Sequence, residues 1–450
     1  MTSDHARVRL VRVVVRPLQA FLRLEAASGI LLLLCAVVAL VWANMDPRSY
    51  GATFEYALLP GASGARAVFT LRTLINDGLM AVFFFVVGME IKRELVVGEL
   101  NSVAKASLPA IAALGGMLLP AGIFLAFNCG GTGQRGWGIP MATDIAFCIG
   151  ILTLLKNRVP RALVVFVTAL AIFDDIGGIL VIAFFYAKGL SIPWLLGAAG
   201  LTIVLFGMNR AYVINGLGYS IVGVGLWYAL HHSGIHATIA GVVLGLMIPA
   251  RPQRSSRDAL RGVANRAPEL DRKPPDEELD GAEILPLEEK PEDLQAPVQR
   301  FVYLLHPFVA FLIVPVFALA NSGVSLRGAG ISMLASPVAL GTAVGLFIGK
   351  LAGIFALTSL AVRLRLAPMP GNAPWAKLFG VSVIAGIGFT VALFIAALAF
   401  HDAVELLDQA KMGILIGSIA AGIVGFVLLR TVGRAQEESA LRQRERGSAR

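Results

Sequence analysis

The chain has 450 residues, of which 57% are hydrophobic and only 15% are charged. Soluble proteins carry about 25% charged residues, and this sequence repeats apolar runs of roughly twenty residues, the length that a helix needs to cross a bilayer. The composition therefore excludes a soluble enzyme and indicates an all-α polytopic membrane protein. The net charge of +9 does not indicate nucleic-acid binding, because the Lys and Arg residues are concentrated in alternate loops.

The apolar runs predict about twelve transmembrane helices. Loops rich in Lys and Arg stay in the cytoplasm, and here they alternate with loops of low charge, beginning with a basic N-terminal segment. This alternation and the even number of spans predict that both termini are cytoplasmic. The predicted spans lie near residues 24–43, 72–90, 107–127, 138–155, 162–186, 192–207, 212–230, 234–249, 301–320, 336–362, 376–400 and 411–429.

The spans divide the chain into five parts. A basic N-terminal segment (1–23) precedes helices 1–8 (24–249), a cytoplasmic loop (250–300) separates these from helices 9–12 (301–429), and a basic tail (430–450) follows. The loop contains seven prolines and an acidic stretch, so it has too little apolar surface to bury. We expect this loop to be a disordered tether.

The outer loop between the first two predicted spans, residues 44–71, is long enough for a short hairpin. Gly61 and Gly64 supply residues that suit its turn. We therefore expect a hairpin on the outer face of the protein.

Two adjacent acids stand in the middle of the fifth predicted span. Asp174 lies twelve residues from either end of the segment 162–186, about 18 Å at 1.5 Å per residue, so Asp174 and Asp175 lie close to the bilayer midplane. A charge there costs at least ~2.5 kcal/mol, which disfavours a purely structural role for two acids in succession. Carboxylate oxygens are hard ligands suited to Na⁺, and a proton competes for the same oxygens. The pair predicts a site that exchanges protons and small cations.

Lys350 is the second charge inside a predicted span. It lies fourteen and twelve residues from the ends of the segment 336–362, too deep to reach the interface. Because an unpaired charge at that depth is very costly, Asp174 or Asp175 is its natural partner. Neighbours on a helix point about 100° apart, so one acid can meet a partner helix while the other lines a cavity.

Two further spans contain stretches that do not favour a helix. Thr143 and Asp144 follow the Gly- and Pro-rich residues 136–140, and they predict an N-cap at a broken helix, where exposed N–H groups favour an anion. Residues 386–390, which contain Gly386 and Gly388, interrupt a later span. Glycine also serves close helix packing, but interrupted spans in both halves of a chain indicate a transporter's binding site.

A charged cluster lies at the inner end of the second predicted span and contains Glu90, Arg93 and Glu94. Such clusters are usually solvated helix ends with local ion pairs. The residues by themselves leave this interpretation and a functional one open.

These residues lie in strings that resemble the NhaA-type sodium/proton antiporters of bacteria. The resemblance covers nearly the whole membrane part of the chain. The matching strings are INDGLMAVFFFVVGMEIKREL (75–95), GIPMATDIAFCIGIL (138–152), ALAIFDDIGGILVIAFFY (169–186), SGIHATIAG (233–241), HPFVAFLIVPVFALANSGVSL (306–326), GLFIGKLAG (345–353) and AGIGFTVALFIA (385–396).

The resemblance implies an architecture and a division of roles at the site. It implies twelve helices in inverted repeats, with the fourth and eleventh discontinuous and crossing in mid-membrane. It implies that Asp175 binds sodium and carries protons, and that Asp174 is its partner and pairs with Lys350 in one state. Thr143 and Asp144 match the crossing, where Asp144 offsets the positive helix ends and Lys350 the negative ones.

The resemblance also implies regulation, partners and location. Glu90, Arg93 and Glu94 match a cytoplasmic funnel associated with pH control. The implied transported ions are Na⁺, Li⁺ and H⁺, with Asp175 and Asp174 as the sodium ligands. The implied protein lies in the lipid of a bacterial inner membrane and forms homodimers through a hairpin after the first helix. We expect no cofactor, and the three cysteines form no CxxC pattern that would indicate zinc.

Two alternatives of different classes remain. One is another cation/proton exchanger or a cation-coupled symporter, since ligand type alone does not choose between Na⁺, Li⁺ and K⁺. The other is an intramembrane enzyme, but an aspartyl protease needs GxGD, and here Gly388 is followed by Phe389. We therefore expect an electrogenic antiporter that works by alternating access, in which two acids allow more than one proton per sodium.

Overall fold

The structure is a computed structural model, and it describes residues 25–59, 69–155, 158–187, 189–213, 215–251, 296–325 and 330–448. The basic N-terminal segment, most of the cytoplasmic loop and the hairpin turn at Gly61 and Gly64 lie outside these residues. Nearly all of the described chain is helical, which confirms the all-α class.

The helices follow one another with short connections in the first part of the chain. They are α1 (Glu25–Met45), α2 (Pro47–Phe54), α3 (Leu71–Val96), α4 (Val103–Phe127), α5 (Ile145–Leu155), α6 (Arg161–Phe185), α7 (Ile192–Arg210), α8 (Gly216–Ser233) and α9 (Ile239–Met247). A 3₁₀ segment, Thr132–Met141, precedes α5.

The second part of the chain continues in the same way. Its helices are α10 (Pro297–Asn321), α11 (Gly330–Leu334), α12 (Pro337–Arg363), α13 (Trp375–Ile384), α14 (Phe389–Ala399) and α15 (Val404–Ser448). A short 3₁₀ turn, Pro370–Asn372, precedes α13. Wider π turns lie within three helices, at Leu74–Leu79 in α3, Val309–Ile313 in α10 and Gly345–Gly349 in α12.

Nine of the helical segments in the described residues are long and apolar enough to cross a membrane, and the bent pair α13 and α14 is a tenth. This confirms a polytopic membrane protein. The predicted spans 212–230 and 234–249 fall on α8 and on α9, which has only 9 residues. The count of twelve therefore stays a prediction.

The loop after α1 contains the expected hairpin. Strand β1 (Ala57–Leu59) pairs antiparallel with β2 (Phe69–Thr70). The structure also contains α2, which the sequence analysis did not predict. Its cap is Asp46, whose carboxylate accepts a hydrogen bond from Ser49 N at 3.1 Å, and Pro47 at the first helical position has the backbone φ that a helix needs.

The described residues form two compact units. The first comprises residues up to 80, 102–187 and 310 onwards, and the second comprises 81–101 and 188–309. Glycines hold the second unit together at the contact between α9 and the later part of α3. A Cβ added to Gly241 would lie 2.1 Å from Ala81 O, and one added to Gly245 would lie 2.5 Å from Phe85 O.

Both interrupted helices belong to the first unit. The 3₁₀ segment Thr132–Met141 ends before α5 begins, and α13 and α14 meet at a bend of 45°. Glycines let the two interruptions approach each other and α12. A Cβ on Gly388 would lie 2.9 Å from Ala142 O, and one on Gly386 would lie 2.5 Å from Leu346 O. Only glycine fits such contacts between backbones.

Helix α12, which carries Lys350, packs on α4 through two facing glycines. A Cβ added to Gly115 would lie 2.2 Å from Gly353 O, and one added to Gly353 would lie 2.0 Å from Gly115 O. Small residues at such a contact allow the helix backbones to touch, which is how helices associate where lipid is as apolar as the side chains.

We expect Gly353→Ala to destabilise the protein by about 1–3 kcal/mol, the cost of inserting a methyl group into a packed contact. The matched control is Gly122→Ala on α4, where an added Cβ meets nothing within 4 Å and the helix gains about 0.5–1 kcal/mol. The apparent unfolding temperature in detergent should fall for the first variant and hold or rise for the second. Equal unfolding temperatures would contradict the packing argument.

Candidate functional site

The acid pair lies near the middle of α6, a helix with no other charged residue after Arg161. Asp174 and Asp175 are buried, with exposures of 2% and 7%. Just beyond them, a Cβ added to Gly177 would lie 2.2 Å from the Met117 sulfur of α4. The acids are therefore held in an otherwise apolar helix that packs closely on its neighbour.

Lys350 reaches the acid pair from α12. It is fully buried, with 0% exposure, and its ammonium group donates hydrogen bonds to Asp174 Oδ2 and, at 2.8 Å, to Thr143 Oγ1. A Cβ added to Gly116 would lie 3.6 Å from Lys350 Cδ, so a small residue of α4 leaves room for the lysine chain. The structure thus places Asp174 as a partner of Lys350.

Thr143 completes a three-way contact. Its hydroxyl accepts from Lys350, and it lies 2.6 Å from Asp174 Oδ2 and 3.0 Å from Ala385 O. The hydroxyl has one hydrogen to donate, so that hydrogen goes to either the carboxylate or the carbonyl. Because Ala385 ends α13, the threonine joins the acid, the lysine and the negative end of a helix.

The energetics of this contact favour a pair that can be exchanged. Removing two charges from water costs several kcal/mol for each ion, and the attraction between them roughly offsets that cost. Loss of only one partner leaves an unpaired buried charge and costs about 3–5 kcal/mol. The Lys350–Asp174 contact is therefore only weakly stabilising as a pair. Once buried, however, Asp174 needs a positive partner and Lys350 needs a negative one.

The two carboxylate oxygens of Asp174 differ in their hydrogen bonding. Oδ2 receives the bonds from Lys350 and Thr143, whereas Oδ1 is buried and has no hydrogen-bond partner among the described residues. An unsatisfied buried carboxylate oxygen is costly. The geometry therefore suits a bound proton or a small cation at Oδ1.

Asp144 caps two helices at once. Its Oδ1 accepts from Phe147 N at 3.2 Å in the first turn of α5, and its Oδ2 accepts from Thr390 N at 3.1 Å at the start of α14. Its own backbone N–H donates to Ile387 O at 2.6 Å. The negative carboxylate thus lies at two positive helix ends, where it is stabilising, and the two interruptions are joined directly.

Sequence reasoning missed two residues at this crossing. The Thr390 hydroxyl donates to Asp144 Oδ2 at 2.5 Å, and Ser418 Oγ accepts from Phe389 N at 3.3 Å. A threonine two residues after Gly388, at the start of the helix that follows the interruption, could have indicated the first of these residues. Ser418 lies inside α15, and its local sequence gives no sign of the contact.

The charged cluster Glu90, Arg93 and Glu94 belongs to the second unit, whereas the acid pair belongs to the first. Arg93 donates to Glu94 Oε1 at 3.0 Å, and Glu94 Oε2 accepts from Glu99 N at 3.0 Å. Glu90 is half-buried and lies within electrostatic reach of His306 and Arg93. The cluster therefore contains one local ion pair and two partly buried acids.

Comparison with known proteins identifies the class to which this site belongs. The family model described as Na+/H+ antiporter 1 matches residues 19–429. The chain is 61% identical, over 96% of its length and 95% of the relative, to the Na(+)/H(+) antiporter NhaA of Anaeromyxobacter sp. (strain Fw109-5). It is 56% identical, over 94% of its length and 95% of the relative, to Na(+)/H(+) antiporter NhaA 1 of Myxococcus xanthus (strain DK1622).

The family match and these relatives therefore identify a secondary transporter and not an enzyme. The chain belongs to the Na⁺/H⁺ antiporter 1 family. The family resemblance seen in the sequence is confirmed.

We expect Thr390→Val to lower stability by about 1.5–3 kcal/mol, the usual worth of a hydrogen bond to a charged group. The change keeps the shape of the side chain and removes only the hydroxyl that contacts Asp144. Thr168→Val is the control, because the Thr168 hydroxyl bonds only to Val164 O of its own helix at 3.0 Å. Unfolding temperatures in detergent measure the difference, and equal values would show that the Asp144 cap does not hold the crossing.

Proposed function

We propose that the protein extrudes Na⁺ in exchange for external protons, by alternating access, with Asp175 and Asp174 as the groups that bind sodium and carry protons. Family membership makes Na⁺ and H⁺ the transported ions. The observation that carries the proposal is the buried acid pair, in which Asp174 contacts Lys350 through one oxygen and has no described partner at the other.

Three cations compete for this pair of carboxylates. Na⁺ suits their hard oxygens, a proton neutralises a buried carboxyl, and the Lys350 ammonium occupies Asp174 Oδ2. Sodium bound to both acids displaces the lysine from Asp174. Competition for shared oxygens couples the ions without a separate coupling device.

The exchange is electrogenic in this mechanism. Two carboxyl groups that face outward take two protons, and the same two groups that face inward release them and take one sodium ion. Each cycle then moves one net positive charge inward. Moving one charge through 100 mV is worth about 2.3 kcal/mol, so the membrane potential drives sodium out.

The pH control of transport is assigned to Glu90, Arg93 and Glu94. Glu90 is half-buried and lies within electrostatic reach of His306 and Arg93. A proton gained or lost by an acid among these charges changes the balance of the cluster, and this makes the cluster suited to a regulatory role.

The remaining partners and the location follow from charge and chemistry. Li⁺ is a second substrate, because it is a small hard cation like Na⁺. The alternation of basic loops supports a bacterial inner membrane location with cytoplasmic termini. The β1–β2 hairpin is proposed as the contact between the subunits of a homodimer.

We expect Asp175→Asn to abolish sodium-dependent exchange. Respiration acidifies the lumen of everted membrane vesicles. When NaCl or LiCl is added, the lumenal pH should rise in vesicles that contain the wild-type protein and should stay low in vesicles that contain the variant. Asp402→Asn is the control, because Asp402 is an exposed acid that pairs with His401. Full activity of Asp175→Asn would overturn the site assignment, and a response to KCl equal to that with NaCl would favour a different cation/proton exchanger.

We expect Asp174→Asn to leave exchange measurable but to remove its dependence on the membrane potential, since only one titrating acid remains for each sodium ion. Proteoliposomes with a potassium gradient and valinomycin provide the potential, and ²²Na⁺ efflux measures the response. With the wild-type protein, the rate of ²²Na⁺ efflux should rise when the inside of the proteoliposomes is made negative. A variant that keeps the wild-type voltage response would contradict the stoichiometry.

A further inference from the structure

Tyr186, directly after α6, contacts the 3₁₀ segment that leads to Thr143. Its hydroxyl donates to Arg135 O at 2.8 Å, and it also forms a hydrogen bond with the Gly138 backbone. Arg135 and Gly138 are three residues apart, the spacing of a 3₁₀ hydrogen bond. The tyrosine hydroxyl therefore bridges one turn of that segment. A Cβ on Gly138 would lie 3.1 Å from Tyr186 Oη, so glycine leaves the space that the hydroxyl needs.

A cavity lies beside this contact. It has a volume of about 640 Å³, and its walls include Gln134, Arg135, Trp137, Tyr186 and Phe400. The proposed topology places all of these residues at the outer ends of their helices. The Trp137 and Phe185 rings meet edge to face, with centroids 5.0 Å apart, and add a second contact between α6 and the 3₁₀ segment.

An apolar cluster lies between this cavity and the acid pair. Buried Ala121, Met141 and Val181 form it, and Trp137 and Tyr186 pack against it. Val181 is seven residues after Asp174 on α6, about 10 Å along the helix, and Met141 comes two residues before Thr143. On α6, the buried side chain between Tyr186 and the acids in this cluster is thus apolar and offers no polar contact to an ion.

We propose that Tyr186 is a positioning residue for transport. Its bond to Arg135 holds the outer end of the 3₁₀ segment on α6, keeps the apolar cluster closed, and so sets Thr143 and Asp144 against Asp174. Release of this bond opens the cavity to the acid pair as the outer route for sodium and protons. The inference rests on the proposed function, in which those acids carry the ions.

Tyr186→Phe tests this assignment because it removes only the hydroxyl. The reporter is Val181→Cys, in a background that carries Cys35→Ala, Cys129→Ala and Cys148→Ala. A negatively charged, membrane-impermeant methanethiosulfonate reagent is added to the outer face of right-side-out vesicles. Loss of the hydrogen bonds that the hydroxyl makes with Arg135 O and with the Gly138 backbone should raise the labelling rate about tenfold, which corresponds to about 1.4 kcal/mol.

A second measurement separates positioning from general damage. A population shifted toward the outward-open state binds internal sodium less often, so the apparent KM for internal Na⁺ should rise, while the unfolding temperature stays near the wild-type value. Tyr228→Phe, which alters a tyrosine in α8, should leave both the labelling rate and the KM unchanged.

The labelling result decides the proposal. Equal labelling rates at Val181→Cys with and without the Tyr186 hydroxyl would overturn it, even if transport falls. Faster labelling supports it and does not depend on which acid carries sodium. If Asp175→Asn keeps full exchange while Tyr186→Phe still speeds labelling, the acid assignment fails and the role of Tyr186 in closing the outer route stands.

Discussion

Backbone groups inside a membrane must find their partners within the protein, because no water is present to bind them. The interruptions before α5 and α14 leave N–H groups at two helix starts, and Asp144 accepts hydrogen bonds from both. Its single negative charge also lies at two positive helix ends. The helices can therefore break where they cross, and the break leaves the Thr143 hydroxyl beside Asp174 and Ala385 O. The geometry of the ion site depends on this shared cap.

The contact between Lys350 and Asp174 has the properties that an exchangeable partner needs. Both side chains are wholly buried, so neither can lose its partner without a large cost. A mobile cation that enters the site supplies Asp174 with another positive charge, and a proton removes the need for one. Asp144 differs, because four hydrogen bonds fix it in place. Its carboxylate accepts three of them, from Phe147 N, Thr390 N and the Thr390 hydroxyl, and its own N–H donates the fourth to Ile387 O. In the proposed mechanism, Asp144 is thus held as a structural charge, while Asp174 and Asp175 exchange their cations.

The sequence predicted much of this arrangement from depth alone. A charge in mid-span must meet an opposite charge or a cavity, so the positions of Asp174 and Lys350 indicated a common site before any contact was known. Depth does not say which carboxylate oxygen accepts the hydrogen bond from Lys350. It also does not predict the hydrogen bond from Lys350 to Thr143, because these residues are 207 positions apart in the sequence. For the same reason no local pattern predicted that Ser418, on α15, would bond to Phe389 N. Helix α2 was missed although Asp46 and Pro47 form an ordinary start signal, because the expectation of a hairpin covered the same loop.

Helix α6 meets the segment before α5 at two depths, and the two contacts differ in kind. At the acid pair the contact includes the buried charges of Asp174 and Lys350, whereas near Tyr186 it consists of neutral hydrogen bonds to Arg135 O and the Gly138 backbone and of a ring contact. A neutral bond contributes about 0.5–1.5 kcal/mol, and a buried charge that loses its partner costs about 3–5 kcal/mol. The contact near Tyr186 can therefore open at a lower cost than the contact at the acid pair, which needs a replacement cation. In the proposed mechanism, opening to the outside depends on what occupies Asp174, and this dependence couples the movement of the protein to the ion it carries.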